Sequence, residues 1–84
     1  MAKRLPQTKE IDLHGIRHKQ ALALVRTTLM YYQEENCSFS LTIITGNSTT
    51  LQELIYEEIL EHSTFNYFIP SLNLGQIIVE KTVL

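Results

Sequence analysis

The sequence predicts an α/β fold of the α+β two-layer kind, in the order βαβαββ, with two helices packed on a four-stranded mixed sheet. Three observations predict it. Two amphipathic stretches with helical spacing each follow a short apolar strand; two further β-prone stretches close the chain; and Gly, Pro, Asn and Ser mark the turns between them. Eighty-four residues, 44% of them apolar, suit one small core that buries about two-thirds of the chain's surface. Residues 1–9 read as a basic N-terminal tail and residues 10–84 as a single domain, with no internal repeat and no linker.

Lys9-Glu10-Ile11-Asp12-Leu13-His14 alternates polar and apolar residues before Gly15, which predicts a short strand ending in a turn. From about His18, Ala21, Leu22, Val25, Leu29 and Tyr32 step by three and four, so a helix runs to Glu35. Phe39 to Thr45 is β-branched and aromatic up to Gly46, as in a buried strand. Asn47 to Thr50 are helix-capping residues, and Thr50-Leu51-Gln52-Glu53 has the Thr-x-x-Glu pattern of a capping box. The second helix is therefore expected from there to about His62, with Leu51, Leu54, Ile55, Ile59 and Leu60 inward and Gln52, Glu53, Glu57 and Glu61 in water. Phe65 to Ile69 and Gln76 to Lys81 read as an antiparallel pair around the Pro70 to Gly75 turn. The first two βα units are expected to be right-handed crossovers into parallel strands.

Composition narrows the classes of function. Asn36 to Leu51 is uncharged but interrupted by Ser, Thr, Asn and Gly, so it is no membrane span. Met1 to Arg4 is basic yet leads into Leu5-Pro6-Gln7 rather than an apolar run, which argues against a secretory signal. The single Cys37 permits no internal disulfide and favours a reducing, cytoplasmic setting; its place at a helix end suits packing better than nucleophilic chemistry. The net charge of −2 conceals a chain with two ends: residues 1–26 carry +4 and residues 27–84 carry −6. A basic first third is compatible with local contact with a polyanion, but charge alone favours a solvated tail, with the acidic helix a solvated face.

Two loops carry the chemistry. The first holds Asp12, His14, Gly15, Arg17, His18 and Lys19; the second holds Thr45, Gly46, Asn47, Ser48 and Thr49. Both leave the carboxyl ends of strands expected to be parallel, where binding sites of open α/β sheets gather. Asp12 and His14 are expected on one strand face, the carboxylate orienting an imidazole that works as general acid or base. The second loop offers hydroxyls and backbone N–H groups at a helix N-terminus, which suits a phosphate. A plain reading stands beside each: a solvent-facing strand end, and capping alone. His14 and His18 do not establish a metal site because Gly15 interrupts the helical spacing, and neither an NTPase loop nor a dinucleotide fingerprint is present.

Ile11-Asp12-Leu13-His14-Gly15, followed by Ala21-Leu22, resembles the Leu-Asp-Leu-His-Gly signature of the Smr (small MutS-related) domain. Ile43-Ile44-Thr45-Gly46 resembles that family's second motif, Ile-x-Thr-Gly-x-Gly, with Ser48 in place of its second glycine. Leu74-Gly75 before Ile77-Ile78-Val79 resembles its final turn and strand. The resemblance runs from about Glu10 to Val83. It implies a fold like the C-terminal domain of a bacterial translation initiation factor and binding of DNA or RNA, with nicking endonuclease or endoribonuclease activity in some members. It places Asp12 and His14 at the catalytic positions and Thr45 and Gly46 at the start of the phosphate loop. Asn47, Thr49 and Thr50 stand where basic or His residues are common in the family; Arg17 and Lys19, with Lys3, Arg4 and Lys9, offer positive charge from the other side. No cofactor, metal or membrane is implied. The alternatives are a catalytically silent nucleic-acid-binding module and a protein-interaction module.

Overall fold

The computed structural model describes residues 7–83. Its elements are β1 (Gln7–Asp12), α1 (His18–Glu35), β2 (Phe39–Ile44), α2 (Thr49–Glu58) with a 3-10 turn at Leu60–His62, β3 (Asn66–Phe68) and β4 (Gln76–Lys81). The sheet order is β1-β2-β4-β3. β1 and β2 run parallel with Gln7 opposite Phe39 and Asp12 opposite Ile44, while β4 is antiparallel to both β2 and β3. The expected α+β layer of two helices on a four-stranded mixed sheet is thus present.

Alternation decides which face the helices cover. In β2, Phe39, Leu41 and Ile43 are buried, as are Ile77 and Val79 in β4, whereas Ser40, Thr42, Ile44 and Ile78 on the other face are only half-buried. Both βα crossovers step across the sheet in the same direction, so right-handedness sets both helices on the same side. Ala21, Leu22, Val25, Leu29 and Tyr32 of α1 and Leu51 and Ile55 of α2 meet that face. Each fully buried Leu, Ile or Val contributes about 1.5–3 kcal/mol. The Tyr32 ring stacks on Phe39 with centroids 4.3 Å apart, and burial holds its phenol above the usual tyrosine range. Phe65 is buried edge-on to Phe39, Tyr67 is half-buried against Tyr56, and Phe68 points to the open face. Cys37 is buried, as packing requires.

The start of β1 and the end of α2 differ from the sequence reading. β1 begins at Gln7, whose N–H donates to the Ser38 carbonyl at 3.0 Å, so Gln7 to Lys9 of the expected tail belong to the sheet. The full length of β2 is available for pairing, and local alternation in β1 cannot register that. The rest of the tail, with Lys3 and Arg4, lies outside the described residues. α2 stops at Glu58 because Ile59 leaves helical geometry at φ −126°, and the chain tightens into the 3-10 turn before His62. α1 ends as expected at Asn36, which takes the left-handed conformation at φ 50° that Asn tolerates better than most residues.

No helix among the described residues is long and apolar enough to cross a membrane.

Candidate functional site

Parallel pairing of β1 with β2 carries their two exit loops to one edge of the sheet. They meet there around an open cleft of about 410 Å³, lined by His14, Gly15 and His18 from the first loop and Thr45, Gly46, Asn47 and Ser48 from the second. Leu13, Ile16 and Leu51 form its apolar floor. A methyl group added at Gly46 would lie 3.6 Å from Cδ2 of His14, so the imidazole rests directly over the second loop.

The first loop turns sharply just after the strand. Ile16 N–H donates to the Leu13 carbonyl at 3.0 Å, and Gly15 sits at φ +79°, a conformation that costs L-residues with a Cβ. Asp12 closes this turn: its Oδ1 accepts the backbone N–H of His14 at 2.9 Å. Strand alternation predicts Asp12 and His14 on one face with the carboxylate orienting the ring. Instead β1 ends at Asp12, the chain turns, and the carboxylate grips the backbone. Asp12 therefore positions His14 through the main chain. His18 begins α1 and lines the cleft, whereas Arg17 and Lys19 are exposed beside it without lining it. Arg17 occupies the N-cap position of α1 without a side-chain cap hydrogen bond, and the first turn has no acidic residue. Cations at this end oppose the helix dipole.

The second loop is bound into the fold. Gly75 carbonyl accepts three donors: Thr45 N–H at 2.8 Å, Gly46 N–H at 3.1 Å and Thr45 Oγ1 at 3.1 Å. Gln52 Nε2 donates to Thr45 Oγ1 at 2.9 Å and to the Leu74 carbonyl at 2.7 Å. Ser48 caps α2, its Oγ accepting Leu51 N–H at 3.2 Å. These contacts revise several expectations. Thr45 is buried and serves as a strut, and the Gly46 N–H expected to hold phosphate is already given to Gly75. Ser48, not Thr50, is the cap, so the Thr50–Glu53 capping box does not form. Thr49 faces away from the cleft, beside Gln52, Glu53, Tyr56 and Ile69. Thr49 and Thr50 contribute the first-turn N–H groups that have no intrahelical acceptor.

Sequence reasoning missed Gln52 and Gly75. The helical spacing predicts a water-facing Gln52, yet it joins the loop to the β3–β4 turn. Nothing in its local sequence signals this, because its partners come from other elements of the chain. Gly75 lies so close to Gly46 that an added Cβ would meet its carbonyl oxygen at 3.2 Å. Among the described residues no group of three His, Cys, Asp or Glu side chains is placed to hold a metal ion. Comparison of the chain with protein-family models, with curated proteins and with solved structures finds no match in any of the three.

Proposed function

We propose that the chain is a nucleic-acid-binding domain of the Smr kind that takes a phosphodiester of DNA or RNA into the cleft between its two βα loops. The observation that carries this reading is the seating of the His14 ring over Gly46 in a cleft open to solvent. Imidazole is the side chain that titrates between pH 5 and 8, so it can take or give a proton at a bridging or attacking oxygen. Asp12 holds His14 by its backbone N–H. The first-turn amides of α2 lie at the positive end of its dipole and suit a phosphate oxygen. Arg17, His18 and Lys19 supply attraction from the other side of the mouth. The βαβαββ order also supports the fold that the family resemblance implies, that of a translation-initiation-factor C-terminal domain.

Incubation with supercoiled plasmid and with structured RNA, beside His14→Ala and Asp12→Ala, tests catalysis. Nicked or cleaved product should fall about 10²–10⁴-fold in His14→Ala. Equal product from wild type and both variants would remove these residues from the reaction. A silent binding module is the second reading, favoured by the engagement of the Gly46 N–H and of Ser48 within the fold. It gives a retarded probe whose retention weakens as salt rises, and no product.

A further inference from the structure

The turn between β3 and β4 carries two of the most exposed large apolar side chains among the described residues. Leu72 is 100% exposed and Leu74 is 71% exposed. They are not on a loose strand of chain. Asn73 N–H donates to the Pro70 carbonyl at 3.1 Å, Asn73 Oδ1 accepts Gly75 N–H at 3.1 Å, and Gln52 holds the Leu74 carbonyl. Gly75 in turn carries Thr45 and Gly46 on its carbonyl. The two leucines are thus held outward by a hydrogen-bonded turn fastened to the wall of the cleft. No charged residue lies between Ile69 and Gln76.

Resting on the nucleic-acid reading above, we infer that Leu72 and Leu74 form a base-contacting tip that selects unpaired or readily unstacked nucleotides next to the phosphate in the cleft. Apolar wedges of this kind press on base faces, which a fully stacked duplex hides. The neighbourhood fits a strand that offers phosphate and base together: Arg17, His18 and Lys19 stand on the α1 side of the cleft mouth, and the uncharged tip is fastened through Gly75 to the loop on its other side. The rest of the sheet discourages a longer path. Its open face presents Glu10, Asp12 and Glu80 and, among the described residues of its strands, no cation on that side. A backbone following the sheet would meet like charge, so contact stays at the loop end and involves few phosphates. The slope of log affinity against log salt for a single strand should accordingly be only about −2.

The test compares three fluorescent probes with equal phosphate number: a mixed-sequence single strand, the same sequence fully paired, and an abasic strand that keeps the sugars and phosphates but lacks bases. Wild type should hold the base-bearing single strand about ten-fold more tightly than either other probe. Leu72→Ser/Leu74→Ser should bring it down to the abasic value and leave abasic binding unchanged, whereas Arg17→Ala should weaken both strands. Because both side chains project into solvent, the double variant should melt with the wild type. A double variant that keeps the preference for bases overturns the tip while the nucleic-acid reading stands. Wild type that retains none of the probes at low salt overturns both. A wild-type dimer in light scattering that the double variant converts to monomer, with base preference unaltered, makes the leucines a contact between copies and overturns the tip.

Discussion

The two helix N-termini that flank the cleft are built in opposite ways. That of α2 is stitched down: Ser48 caps it, Leu51 is buried beneath it, and Gly75 and Gln52 consume the polar groups of the preceding loop. That of α1 is left open, with Arg17 at the cap position making no side-chain cap hydrogen bond, and His18 and Lys19 following. Local stability would favour Ser or Asp at position 17 and an acidic residue after it. The second mouth is therefore chiefly a support, and the first is the side whose chemistry is not explained by folding.

This contrast can be broken by stability measurements, beginning with the floor. Leu51→Ala, which empties a site only 2% exposed, should cost about 2–5 kcal/mol in urea unfolding. Ile16→Ala on the first side, where the side chain is half-buried, should cost less than half as much, and equal losses would dissolve the distinction. Gln52→Ala removes two hydrogen bonds and should cost about 1–2 kcal/mol, with the amide resonances of Leu74 and Gly75 shifting together. Ser48→Ala should lower stability by about 1 kcal/mol, a drop in Tm of about 4–8 °C for a domain of this size. The smallest effect has the opposite sign. Arg17→Ser supplies the missing cap at φ −60° and ψ 144° and should raise stability by about 0.5–1 kcal/mol while weakening probe retention. Loss of both stability and binding in that variant would show that Arg17 works for the fold.

Much of the fold was legible because its signals are short-ranged. The three-and-four spacing from Ala21 to Tyr32 reports the covered side of α1 directly, and the β-branched and aromatic run from Phe39 to Ile44 reports a strand. The site was legible as a pair of loops, since parallel strands bring their exits to one edge. Its internal wiring was not. Asp12 and His14 obey strand alternation only if the strand continues through both, and it ends at the first. Gln52 reads as surface on a helical projection because its partners, Thr45 and Leu74, come from other elements.

The amino-acid sequence by itself determined the order of the elements, the apolar stripe of each helix and the position of the His14 and Thr45 to Ser48 loops at the carboxyl ends of their strands, since each follows from local periodicity and turn residues. That β1 and β2 are neighbours, so that the loops meet, is a tertiary fact. Only the tertiary structure decided which polar groups at that edge are already spent. The hydrogen bonds that consume the Gly46 N–H and the Thr45 hydroxyl reach across thirty residues to Gly75. A donor's availability depends on what the rest of the chain folds against it, and nothing in its own neighbourhood of sequence records that.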